Sequence, residues 1–254
     1  MRRVEKPNRP VTELLGVPDP IDPPGPTQVP LTVADAQLRQ ALDGIHDPQT
    51  RRQIANDRFG TRLDAEAARN VLLREQRGLC AFCEGRVTAA PHHHAPRAET
   101  NMRIAHWQPR FHHPERALDW QNLFGSCDMQ HRRAEEQHCD YVQGSYALPE
   151  DAPTPACADY SQWLRLSASG ALQPLETAPP FVQRVIDLFH LNTPTLCDAR
   201  RSAVAGLLRD VPARDARGRR GSFELLLANL TRPRGVLPPY VTAMRLRLQR
   251  ELAR

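Results

Sequence analysis

Cys80-Ala-Phe-Cys83, followed by Cys127 and Cys139, constrains the fold of this 254-residue chain more than any other feature. Tetrahedral zinc takes thiolates about 2.3 Å from the metal, and a two-residue gap lets one tight turn supply two of them. A redox CxxC is the rival reading. That motif follows a strand and opens a helix, whereas this one follows a helical pattern, TRLDAEAARNVLLREQRG, capped by Thr61 and stopped by Gly78. The N-terminus MRRVEKPNRP lacks a signal peptide's apolar stretch, and no apolar run has membrane-spanning length, so a cytoplasmic setting is expected. In that reducing setting clustered cysteines read as metal ligands before disulfides. The expected structural zinc ligands are therefore Cys80, Cys83, Cys127 and Cys139, with His138 as a substitute candidate and metal-free buried thiols as the alternative. Cys157 and Cys197, each alone, read as packed thiols.

The rest of the chain organises around this set. Hydrophobic residues at 40% and charged residues at 25% are ordinary for a globular protein of one or two domains. Eight of the 24 prolines fall in residues 1–30, which therefore read as an extended arm, with a short helix over TVADAQLRQAL after it. Of the 34 basic residues 33 are arginine, Lys6 being the exception, a bias that reflects coding more than function. From residue 199 onward 13 arginines stand against four acidic residues, so a basic tail follows a nearly neutral body. Its ARDARGRRGS stretch reads either as a DNA-backbone contact or as a solvated arginine loop. QWLRLSASGALQPL reads as a hairpin turning at Ser169-Gly170, and the segments after it read as four helices.

Residues 79–145 hold four cysteines, eight of the ten histidines and two of the three tryptophans. Between the cysteines come His106 in RIAHWQPR, Asn122 in DWQNLFGSC and the HCD of residues 138–140. A strand with a histidine, a returning strand with an asparagine and a helix beside a zinc ligand would bring three polar side chains to one edge. Such a unit can hydrolyse a phosphodiester. A neutral imidazole activates water, the asparagine orients the loop or the histidine, and a divalent cation neutralises phosphate charge. Trp107 and Trp120 could stack on bases but read more readily as core. The His92-His93-His94 run and the pair His112-His113 read as exposed loop, and His190 as a core histidine.

LREQRGLCAFCEGRV, RIAHWQPR, DWQNLFGSC, HCDYVQG, SASGAL and DLFHLNTPTLCDARRSAV occur in an order that resembles the HNH endonucleases. Within them it resembles the bacterial HNH proteins that accompany retron and Septu anti-phage systems. The resemblance covers nearly everything after residue 30 and implies an α+β fold. Its centre would be a zinc-stapled ββα-metal core over residues 61–148, between a proline-rich arm and short helix (1–60) and a hairpin with an arginine-rich helical region (149–254). It implies His106 as general base, Asn122 as the central asparagine, and Asp140 as the third motif residue, with Asp140 and Asn122 serving a catalytic Mg²⁺ or Mn²⁺. It also implies DNA as substrate, read with little sequence specificity, and an ATPase partner in anti-phage defence.

Two positions depart from the family. The residue before the base is commonly acidic but is Ala105 here, and Gln143 stands where a lysine is common. A zinc-stabilised DNA- or protein-binding subunit without catalysis is therefore the alternative expectation.

Overall fold

The computed structural model describes residues 1–4, 6, 31–88, 102–209, 211, 216–231 and 235–253. They form a mixed, helix-rich α/β protein with two small sheets. The first three helices are α1 (Leu31–Leu42), α2 (Pro48–Arg62) and α3 (Ala65–Glu75); β1 (Met102–His106) and β2 (Leu123–Cys127) pair next, and α4 (Asp140–Gln143) follows. A hairpin of β3 (Leu164–Leu166) and β4 (Leu172–Pro174) leads to α5 (Phe181–Leu188), α6 (Pro194–Arg209), α7 (Ala216–Thr231) and α8 (Val241–Leu252). None of the described helices is long and apolar enough to cross a membrane. Most of the proline-rich arm and the His92-His93-His94 run lie outside the described residues.

The helical boundaries follow capping chemistry. The expected cap at Thr61 is displaced: its hydroxyl donates to Asp57 O inside α2, and Asp64 caps α3 by accepting from Glu66 N and Ala67 N. α2 itself has the same signature, with Asp47 accepting from Thr50 N and Pro48 in the first turn. α3 stops as expected near Gly78, whose φ of 76° suits glycine.

One hydrophobic core takes side chains from Met1 to Leu196, so the arm, the cysteine region and the hairpin region share it. At its centre are Trp107 and Phe82, with parallel rings 6.3 Å apart, joined by Phe124, Phe189 and Tyr160. Trp107 is thus fully buried, and Trp120 is nearly so, with its Nε1 donating to Glu75. His190 departs from expectation. It is exposed with φ of 45°, because α5 ends at Leu188 and the flanking Phe189 and Leu191 turn inward instead. Cys157, expected to be packed, is exposed.

β1 and β2 run antiparallel with Met102 opposite Cys127 and His106 opposite Leu123. Beside them, fully buried Gln76 donates to Leu79 O and Gly125 O and accepts from Gly125 N, so its amide substitutes for a third strand. That approach leaves little room at Gly125, where a Cβ would lie 3.1 Å from Gln76 Nε2 and force the Met102 thioether, 2.4 Å away, to shift. The C-terminal helices are fastened to the same place. Buried Glu84 accepts from Thr242 N (2.8 Å) and Thr242 Oγ1 (2.6 Å), placing a carboxylate at the start of α8, where a helix favours negative charge. The α7 helix, beginning at 216, replaces part of the expected arginine loop.

Candidate metal centre and catalytic cleft

Cys80 and Cys83 are presented by a tight turn after α3, in which Cys80 N donates to Gly85 O and Glu84 N to Cys80 O. Ala81 N donates to Gly125 O, which docks this turn on β2, and Cys127 ends that strand. Cys139 directly precedes α4, with a φ of 63° that is strained for a residue with a side chain and persists because its N–H is held by Phe189 O. All four cysteines are buried, and their sulfurs lie within 4.8 Å of one another. Cys80 Sγ is 3.7 Å from Cys139 Sγ, and Cys83 Sγ is 3.8 Å from Cys127 Sγ. A tetrahedron with 2.3 Å zinc–sulfur bonds has edges of about 3.8 Å. The donor set therefore fits zinc in both chemistry and spacing. His138 Nδ1 lies 3.0 Å from Cys139 Sγ and 3.7 Å from Cys127 Sγ, beside a set of sulfurs already complete. With zinc bound, a proton on Nδ1 would point at thiolate and help to disperse the charge of the cluster.

The cysteines thereby hold the end of β2 to the start of α4, and a cleft of about 390 Å³ lies between α4, the paired strand β1, the turn after it and α2. His106, the last residue of β1, and Asp140, the first of α4, both line it. His106 Nε2 is 2.9 Å from Ala117 O. A carbonyl only accepts, so Nε2 carries the hydrogen and the lone pair is on Nδ1. Burial, aided by the charge of Arg110, lowers the His106 pKa to about 3, so the ring is neutral at physiological pH. Asp140 is pushed up to about 6 by burial, against the opposing pull of Arg103 and Arg110. Its Oδ2 is 3.7 Å from an Arg103 guanidinium nitrogen.

Arg52, Arg103 and Arg110 line the same cleft. Each lies over an aromatic ring: Arg52 over Phe111 at 4.1 Å, Arg103 over Tyr141 at 5.5 Å, and Arg110 over Phe59 at 4.3 Å. Among the described residues three guanidiniums and one carboxylate line the cleft, so it attracts anions, and fixed guanidiniums suit phosphate oxygens.

Asn122 is placed differently from the two cleft residues. It is fully buried, its Oδ1 accepts from Gln108 N (2.8 Å), and its Nδ2 donates to Gln108 O (3.0 Å) and Arg116 O (3.2 Å). Its amide closes the loop that carries Ala117, the partner of His106. Asn122 thus orients the histidine through the loop, while its oxygen is turned to the Gln108 N–H. Asn122→Ala strands a buried N–H and two carbonyls, which should destabilise the fold by about 3 kcal/mol. Thermal denaturation should show this as a drop of about 6–12 °C, and an unchanged midpoint would contradict the positioning role.

The two departures acquire a structural reason. Ala105 is buried in the core opposite Phe124, while its neighbours Ile104 and His106 line the cleft. Ala105→Asp should therefore place a carboxylate among apolar side chains and cost about 3 kcal/mol, read as a lower urea midpoint, with no gain in any cleft activity. Gln143 is buried, and its Nε2 donates to Trp107 O at 2.8 Å, which braces α4 against β1. A lysine there would lose that brace.

The cleft arginines carry little signal in the sequence, because arginine is so abundant in it. The one local hint is the spacing of Arg103 and Arg110 around His106. The pair His112-His113 lies in the loop beyond, with His113 Nδ1 3.4 Å from Glu115. Neither protein-family models nor curated proteins give a match to this chain.

Proposed function

We propose that this protein is a metal-dependent nuclease that hydrolyses phosphodiester bonds in the cleft between β1 and α4. The observation that carries the reading is His106: a neutral ring with one ring nitrogen held by a carbonyl, lining a cleft with one carboxylate and three guanidiniums. Arg52, Arg103 and Arg110 hold the phosphodiester. His106 Nδ1 takes a proton from water as the water oxygen bonds to phosphorus. The phosphorus–oxygen bond to the leaving group then breaks, and that oxygen is protonated from solvent. A divalent cation, Mg²⁺ or Mn²⁺, would be held by Asp140 together with substrate oxygens, and would neutralise charge on the phosphate and leaving oxygen. One protein carboxylate is enough for Mg²⁺ when a phosphate supplies further oxygens.

The order strand, returning strand, helix, with a cysteine set joining the second strand to the helix, supports the ββα-metal HNH reading. DNA as substrate, an ATPase partner and a role in anti-phage defence are the parts of the proposal that rest on resemblance to HNH proteins of retron and Septu systems.

A second reading, a nucleic-acid-binding subunit without catalysis, is favoured by one observation. Among the described residues Asp140 is the single acid lining the cleft, and it is engaged by Arg103. Plasmid incubated with the protein and Mg²⁺ or Mn²⁺ decides between them. Nicking that requires the cation and disappears in His106→Ala supports the nuclease; nicking unchanged in that variant removes His106 from the reaction, and its absence from both proteins favours the binding subunit.

A further inference from the structure

Phe111 is 50% exposed at the mouth of the cleft, on the turn that follows β1. The turn is well formed, because His112 N and His113 N both donate to Pro109 O. A phenylalanine held half in water by an ordered turn contributes little to the core. Its surroundings are polar and cationic instead. The Arg52 guanidinium carbon lies 4.1 Å from its ring centroid, and the His112 ring meets it edge-on at 4.9 Å. Arg52 therefore lies against one face of the Phe111 ring, in a cleft whose other arginines are Arg103 and Arg110.

Nucleic acid offers both matching chemistries, a phosphate and a flat base, one nucleotide apart. In a duplex the base faces are already stacked and paired, and only phosphates reach a cleft of this size. In an unpaired strand the base is free to lie against an aromatic side chain. We propose that Phe111, backed by Arg52, is a stacking platform for the base beside the phosphate in the cleft, and that the preferred substrate is therefore an unpaired strand. This rests on reading the cleft as a phosphodiester site. Phe111 is a specificity residue in this scheme and takes no part in bond breaking.

Fluorescence anisotropy of the full chain carrying His106→Ala tests it, with a labelled DNA strand, the RNA strand of the same sequence, and the DNA duplex, all at one salt concentration. Should that variant lose its fold, the unsubstituted chain without added divalent cation takes its place. Single strands should bind more tightly than duplex. Phe111→Ala should weaken single-strand binding by about 5- to 100-fold and change duplex binding by less than about twofold. Phe111→Trp should retain the affinity, and Phe111→Leu, of similar apolar size but without a ring face, should not. A 2-aminopurine base in the strand should be quenched on binding, and the quenching should vanish in Phe111→Ala. The DNA and RNA arms identify the sugar that is preferred.

Duplex bound as tightly as single strands, no measurable binding of either, or Phe111→Ala within about twofold of the parent on single strands would each overturn the proposal. The two readings fail separately. Phe111-dependent binding without cleavage removes the nuclease and keeps the platform; equal cleavage of duplex and single strand, indifferent to Phe111, does the reverse.

Discussion

Cys139→Ser should yield a chain that retains no tightly bound zinc and has lost the cooperative unfolding transition of the parent. Cys139 joins α4 to the end of β2 at a strained backbone angle, and its sulfur lies 3.7 Å from that of Cys80. With zinc bound, all four thiolates are ligated and their summed charge is halved by the cation. With one sulfur replaced, the remaining three are left buried without a complete partner. Structural zinc sites contribute about 10–16 kcal/mol of apparent binding free energy in small domains, more than most domains have in total stability. The loss should therefore be seen in elemental analysis, far-UV circular dichroism and thermal melting together. A strong chelator should act the same way on the unsubstituted chain, whereas Cys157→Ser, at an exposed thiol, should alter none of these readouts. Full helical content and a sharp melt without metal would show that the cysteines pack as thiols.

His106→Ala should lower metal-dependent nicking by about 10²- to 10⁴-fold, the range supplied by a positioned general base. The pH dependence should be distinctive. The folded-state pKa of about 3 lies below the ordinary histidine value of 6.5, so His106 stays neutral while a free histidine would take up a proton. The acid limb of kcat/KM should then be set by Asp140, whose carboxyl is pushed up to about 6 and must be ionised to hold the cation, with His106 adding no limb of its own near 6.5. A bound phosphodiester opposes the Arg110 charge and raises the basicity of the ring when the proton must move. Stability follows from the same difference. Protonation favours the unfolded chain, so the contribution of His106 is intact above about pH 6.5 and is lost progressively as the pH falls from there toward 3. Denaturant midpoints measured at pH 7.5 and pH 5 should converge for His106→Ala relative to the parent in this respect. Parent midpoints no more sensitive to the change from pH 7.5 to pH 5 than those of His106→Ala would mean that the ring is not held in the environment described.

Much of the metal centre is legible in the sequence, because ligand chemistry is local in kind even when it is distant along the chain. A CxxC turn supplies two sulfurs by itself, and only cysteine or histidine could complete the set. Helix boundaries are less legible. Thr61 and Asp64 are both good caps, and the choice falls to Asp64 because α2, absent from the sequence expectation, runs through Thr61. The Asp47-Pro48 pair carries the signal for that helix, but its PQTRRQIANDRFGTR buries only Ala55 fully and so shows almost no apolar periodicity. His190 escapes its expected burial for a related reason. A helix continued by two residues would bury it, and the chain stops at Leu188 instead.

By itself the sequence determined the inventory: four thiols of the right spacing, a histidine in a strand, and a carboxylate next to the last cysteine. These follow from residue type and short-range order. Only the tertiary structure decided which side chains meet. It placed Asn122 behind the loop instead of in the cleft, enclosed Ala105 and Gln143, and gathered Arg52, Arg103 and Arg110 from α2, β1 and the turn beyond β1 into the cleft that Asp140 lines. The physical reason is that exposure, charge field and hydrogen-bond partner belong to positions in space. Arg200 makes the contrast plain: one of 33 arginines in the sequence, in the fold it is buried and donates to Gly170 O, holding the β3–β4 turn to α6.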